Sequence, residues 1–236
     1  MTSTPKLLAA CASLLAAAAL PAVAADAGPP SGAPAGGRLF DEIVAVVRTR
    51  SGDARIITLT KVAEEGRIAL VSRGGMEAAF APLDGAVLRA SLDWYVDQLL
   101  LLDEAVRLQV FEVDRAAAQA ELARFKAAFR SEKEFRAFLA EIEITEEELT
   151  ATLRRMLRVR RYLESRLGRL RASPADVEAY YAAHAAELGG RPLADVSDEI
   201  AARLSAGRAD AETKALLADL RSRADIRILA DPGARP

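Results

Sequence analysis

Cysteine is almost missing from this chain: Cys11 is the only one in 236 residues. It lies in a segment expected to be removed, so the mature chain would have no disulfide, thiol nucleophile or sulfur ligand for a metal. Histidine is as scarce. His184, the only one, falls on an alanine-rich polar helix with no second ligand type in register and reads as a solvated surface residue. A Ser-His-Asp or Cys-His arrangement, or a metal centre, needs several convergent groups, and one histidine does not supply them. No G-x-x-x-x-G-K-[ST] phosphate loop, G-x-G-x-x-G turn, G-x-S-x-G elbow or H-E-x-x-H helix occurs. No catalytic site, cofactor or metal is therefore expected. Aromatic residues make up 5% of the chain, with a single Trp, so the core must come mostly from Leu, Ala, Val and Ile. Thirty-two Lys and Arg against 34 Asp and Glu give a net charge of −2, which argues against a polyanion binder and a nucleic-acid partner.

What is present begins with an address. Lys6 precedes an apolar run over residues 7–20, followed by Pro21 and Ala22-Val23-Ala24. The small residues stand at the positions a signal peptidase reads, and the run is too short to make a stable membrane span. The reading taken is a signal peptide over 1–24 cleaved after Ala24, which leaves 236 − 24 = 212 residues for export. A second reading, a lipoprotein site at Leu8-Ala9-Ala10-Cys11, would leave another apolar run behind the cut. Residues 25–37 (ADAGPPSGAPAGG) form a Pro/Gly/Ala-rich linker without means to bury anything, and they are expected to be disordered.

The stretch 83–110 organises the rest. Leu88, Leu92, Tyr95, Leu99, Leu102, Val106 and Val110 recur at helical spacing, and Leu99-Leu100-Leu101-Leu102 widens the apolar surface nearly all round. Such a helix is normally enclosed by protein, so it is predicted to be central. Ahead of it, Ile43 to Val47 reads as a strand, Ser51-Gly52-Asp53 as a turn and Arg55-Ile56-Ile57 as the return strand. Thr60 is the expected cap of a helix running to about Ser72, weakened by Gly66. Structure is expected to start near Leu39.

Downstream the pattern is helical. Asp114 caps one helix, Ser131 with Glu134 makes a capping box for a second, and Thr145 with Glu148 opens a third that runs to about Arg171. Ser173-Pro174 starts another, and two more follow near 193–205 and 208–223. Ile226-Arg227-Ile228-Leu229 is a lone alternating strand that needs a partner. The strand at Ile43–Val47 is the expected one, which would bring both chain ends into one sheet. The predicted fold is mainly α: a bundle around a long central helix, with a first unit over 38–172, a second over 173–230 and a tail at 231–236.

Two surface features stand out. Arg154, Arg155, Arg158, Arg160, Arg161, Arg166, Arg169 and Arg171 read as a solvated helix face complemented by Glu141, Glu143, Glu146, Glu147 and Glu148, the alternative being a polyanion-binding face. Phe125, Phe129, Phe135 and Phe138, with Trp94 on the central helix and Met156 on the arginine-rich one, are candidates for an apolar peptide-binding groove. The alternative is that the phenylalanines pack on the central helix.

The order of parts resembles a known family. The I-V-A-V-V strand and hairpin lead to I-T-L-T-K-V and the helix S-L-D-W-Y-V-D-Q-L-L-L-L-D-E-A-V. S-E-K-E-F, I-T-E-E-E-L-T-A-T-L-R-R-M-L-R-V-R-R-Y-L, S-P-A-D-V-E-A-Y-Y and a closing A-D-I-R-I-L follow. Over roughly 39–230 this resembles the N-terminal chaperone core, with the C-terminal helix and strand, of the SurA-type periplasmic chaperones and peptidyl-prolyl isomerases. In that family a parvulin domain usually separates the Tyr-Tyr helix from the closing helix. Here about eight residues, 185–192, stand in its place, too few for a domain. The family's His, Cys/Asp and Phe active-site pattern has no counterpart, so enzyme activity is not carried over. The resemblance implies a periplasmic, ATP-independent holdase for unfolded or nascent envelope and outer-membrane proteins, its bundle leaving an apolar hollow open for them. The other readings are a scaffold subunit of an envelope complex and an isomerase-related protein without its catalytic domain.

Overall fold

A computed structural model describes residues 41–233. The expected signal peptide, Cys11, the linker over 25–37 and the start of structure near Leu39 all lie outside the described residues. The β-branched run Ile43–Arg48 forms β1 and Ala54–Thr58 forms β2, paired antiparallel with Val46 opposite Ile56. Gly52 closes the turn with φ 94°, a left-handed conformation that costs glycine little, and its N–H donates to the Thr49 carbonyl (3.0 Å). Thr49 and Ser51 both donate their hydroxyls to Asp103, tying the turn to the helix below it. β3 (Asp225–Ile228) lies antiparallel along the other edge of β1, with Ala45 opposite Ile228 and Val47 opposite Ile226. The order β2-β1-β3 therefore joins the first and last described elements, as the pattern of the closing strand predicts.

The helices start where short polar side chains can take up free N–H groups. Thr58, the last residue of β2, caps α1 (Leu59–Ser72) through the Lys61 N–H; the cap is two residues earlier than expected because strand and helix abut without a loop. A short α2 (Met76–Phe80) follows. Asp84 caps the central α3 (Gly85–Arg107), and Asp114 caps α4 (Arg115–Lys126). Ser131 caps α5 (Glu132–Glu141), but the Glu134 carboxylate reaches past it to the Arg130 N–H (2.7 Å). Thr145 with Glu148 and Ser173 with Asp176 complete reciprocal boxes on α6 (Glu146–Leu167) and α7 (Pro174–His184). A 3-10 turn, Gly168–Leu170, ends α6.

The two helices expected after 193 are one: α8 spans Leu193–Ser222 without a break. Gly207 inside it is exposed and costs about 1 kcal/mol of helix propensity. Burial on both sides holds the helix through that weak point. Val196 and Ile200 pack on Val177 of α7, whereas Leu216, Leu217 and Leu220 enter the main core. The boundary expected between 172 and 173 thus coincides with the start of α7, but the second half of α8 returns to the first unit.

The mainly helical molecule has two large apolar clusters. One surrounds α3: Leu92, Tyr95, Val96, Leu99 and Leu100 meet Val44 and Val47 of β1, Val159 and Leu163 of α6, and the end of α8. The other gathers α4, α5, the second half of α1 and the first half of α6. Helices α1 and α6 belong to both and fasten them together. Where α1 crosses α3 the backbones come close: a Cβ on Gly66 would stand 2.9 Å from the Ser91 Cβ. The glycine expected to weaken α1 is what permits this crossing. Val106 and Val110, expected on the buried stripe of α3, are exposed because the helix ends at Arg107 and the chain turns away.

Candidate peptide-binding surface

The six candidate residues divide into two groups. Phe125, Phe129, Phe135 and Phe138 are all buried, in the cluster that contains no residue of α3. Their neighbours are Ile68 and Val71 of α1, Ala79 of α2, and Leu149 and Leu153 of α6. They pack neither into an open groove nor on the central helix. The rings touch edge-on or tilted, Phe129 to Phe138 at 5.3 Å and Phe129 to Phe135 at 5.5 Å between centroids. Phe80 of α2 covers Phe138 at 5.7 Å. Aromatic packing of this kind is core material. Its partners were not visible in the sequence, since α2 is too short to show a period.

Trp94 and Met156, by contrast, come together. They line a depression between α1, α3 and α6 with Glu65, Tyr95, Gln98, Leu99, Leu102, Arg155 and Val159. One lining residue, Glu65, is not among the candidates that the sequence offers. Glu65 is 2% exposed, and its carboxylate accepts from Arg155 at 2.6 Å and faces the Lys61 ammonium at 3.0 Å. Arg155 also donates to the Thr152 hydroxyl at 2.9 Å. A buried carboxylate needs such partners because desolvation alone is costly. Burial pulls the Lys61 pKa down, but Glu65 and Glu64 outweigh it and the net shift is upward from 10.5. Burial, then the Glu65 charge, raises the Tyr95 phenol. The signal for Glu65 was its place between Val62 and Ala69, on the apolar stripe of α1.

The depression encloses only about 10 Å³, the space of a single water. A second, lined by Arg50, Leu100, Asp103, Glu104, Leu220, Arg223 and Ala224, is equally small. Neither of these two depressions is large enough to take a guest side chain as it stands. Apolar exposure lies elsewhere. Ile56 is 64% exposed on β2, and Ile43, Ile228 and Leu229 are also open, so the sheet presents greasy side chains beside two strand edges. Val106, Leu108 and Val110 form a second patch.

The arginines of α6 do not face the upstream glutamates. Arg155 holds Glu65 of α1, Arg160 grips Glu121 of α4 through two bonds of 2.9 Å, and Arg166 reaches Glu212 of α8 at 2.7 Å. Arg154, Arg158 and Arg161 donate to backbone carbonyls of Val113, Ala105 and Glu112. The run works as a set of clamps between α6 and its neighbours rather than as a uniformly solvated face. His184 stacks on Tyr180 with centroids 4.1 Å apart, its Nδ1 2.9 Å from the Tyr180 carbonyl. Among the described residues no group of three His, Cys, Asp or Glu side chains is placed to hold a metal, and no helix is long and apolar enough to cross a membrane. Compared with known proteins, the chain matches no family model and no curated sequence.

Proposed function

We propose that the protein is an ATP-independent periplasmic holdase for unfolded envelope and outer-membrane proteins, related to the SurA-type chaperone core without its isomerase domain. The observation that supports this most is the order of the closing elements. After the Tyr-Tyr helix α7, a break over 185–192 leads straight into α8 and then into β3, which pairs with β1. That is the arrangement expected of a chaperone core whose catalytic insert is absent. Extended guests would find two sheet edges flanked by Ile43, Ile56, Ile228 and Leu229, a setting suited to sequence-tolerant backbone pairing. The test is the light scattering of an unfolded outer-membrane protein diluted from denaturant in the presence of the chain. Suppression at low excess supports the reading; unchanged scattering at severalfold excess rejects it.

A second reading, a scaffold subunit that docks one partner, draws support from the water-sized cavities, since a matched partner needs a shaped patch and not a general hollow. A pull-down that returns one stoichiometric protein, with no affinity for unfolded chains, decides for it. Prolyl isomerase activity is the remaining alternative, and the expected rate on an X-Pro peptide is the uncatalysed one.

A further inference from the structure

The chain leaves α3 through an unusual corner. Gln109 (φ 52°) and Phe111 (φ 59°) both adopt the left-handed conformation, which costs a residue with a Cβ about 1 kcal/mol. The corner holds Phe111 inward, 6.2 Å from the Tyr162 ring, and leaves Val106, Leu108 and Val110 projecting, 36–48% exposed. Neither of the two depressions described above is lined by these three residues. They form an apolar ridge without a groove.

Beneath the ridge runs a row of positive charge. Arg154, Arg158 and Arg161, spaced four and three residues apart on one face of α6, hydrogen-bond only to the carbonyls of Val113, Ala105 and Glu112. Among the described residues none of them lies within ion-pair distance of a carboxylate, and neither do the loop's own acids, Glu112 and Asp114, meet an arginine. Arg107 is satisfied by Glu104 at 2.6 Å. The corner thus sets three arginines without carboxylate partners beside exposed aliphatic side chains.

We infer that this corner seats the protein on an anionic lipid surface, with Leu108 and Val110 entering the interface and Arg154, Arg158 and Arg161 facing phosphate headgroups. An acidic peptide would satisfy the arginines, but a ridge with no groove gives its side chains nowhere to lodge. A fluid bilayer interface accepts a projecting apolar ridge and rewards flanking cations.

The test is sedimentation of the full chain with vesicles of phosphatidylcholine, with and without phosphatidylglycerol. The apolar run over 7–20 is common to every variant, so differences between variants report the corner. Binding is expected to require phosphatidylglycerol and to weaken with salt. Each arginine contributes about fivefold, so Arg154→Gln, Arg158→Gln and Arg161→Gln together should weaken it by about a hundredfold. Because these arginines also hold the loop, Leu108→Ser with Val110→Ser serves as the variant that leaves the fold untouched, expected to lose at least tenfold. A Leu108→Trp variant should shift its fluorescence to the blue on anionic vesicles. Equal binding to both vesicle types, no effect of the two serines, or retention of an acidic peptide in place of vesicles would overturn the proposal.

Discussion

Replacing Gly66 by Ala should destabilise this protein, although the same exchange in an exposed helix normally stabilises. Alanine gains about 1 kcal/mol over glycine in helix propensity. Against this, the new Cβ would run into the Ser91 Oγ and stand 2.9 Å from the Ser91 Cβ, where carbons in contact prefer about 3.5–4.0 Å. The α1–α3 crossing must open by roughly 0.6–1.1 Å, and it lies between Val62, Leu92 and Val96, all buried. Overpacking of this order costs about 1–3 kcal/mol and loosens those neighbours as well, for an expected net loss of about 1–2 kcal/mol. At about 2–4 °C per kcal/mol for a chain of this size, the Tm should fall by several degrees. Gly207→Ala is the control: nothing lies within 4 Å of its Cβ position, so it should gain about 0.5–1 kcal/mol. Urea denaturation of both variants, with the slope checked for constancy, gives the signs directly. Ser91→Ala in the Gly66→Ala background should rescue only part, because it removes the Oγ contact but leaves the carbon contact, whereas Ser91→Gly should clear both. A Gly66→Ala variant as stable as Gly207→Ala, or full rescue by Ser91→Ala, would refute the reasoning.

Three further outcomes are expected. Phe138→Ala, which removes a fully buried ring from contact with Phe80, Phe125 and Phe129, should cost about 3–5 kcal/mol by urea denaturation; a loss under 1 kcal/mol would mean that the cluster is loosely packed. Arg155→Met should cost about 3 kcal/mol, since it leaves the Glu65 carboxylate buried with Lys61 alone, and the double variant Glu65→Leu/Arg155→Met should recover most of that loss in a double-mutant cycle. Asp176 accepts from Ser173 and from Arg208. Arg208 first, then the Ser173 bonds, hold its pKa well below the ordinary 3.8. Its contribution is thus present above 3.8 and lost as the pH falls toward the depressed value. Hydrogen exchange in α7 and the first half of α8 should accelerate over that acid range, and Asp176→Asn should show the faster exchange already at neutral pH.

Local signals were the legible ones. Asp114, Thr145 with Glu148, and Ser173-Pro174 cap the helices they predict, because a cap depends only on residues within one turn. The strand pattern at Ile226–Leu229 pointed to Ile43–Val47 because it had no nearer partner, while Ile43–Val47 kept one edge open beside its hairpin return. Partners across the fold were harder. The phenylalanines have helical spacing that says they are buried but not against what, and their covering residue Phe80 sits on a five-residue helix. Thr60 is the expected cap and Thr58 the actual one, because β2 runs directly into α1. The gap expected between 205 and 208 is absent because the burial of Ala209, Leu216 and Leu217 carries α8 across it. Of the candidate surface, the meeting of Trp94 and Met156 follows from α3 lying against α6, which one-dimensional periodicity does not encode. The clamping partners of the arginines, Glu65, Glu121 and Glu212, are 90, 39 and 46 residues away, beyond the reach of any local charge count.

Because β1 needs β3 on its open side, the first described strand waits for one made long after it. Ala45 and Ile228 are 228 − 45 = 183 residues apart, a span whose closure is slow even when its entropy cost grows only with the logarithm of length. Until then one flank of Val44, Ala45 and Val47 stays bare. A newly made copy of this protein thus passes through a stage in which it offers a sticky ribbon of its own, and loss of β3 should strand it there.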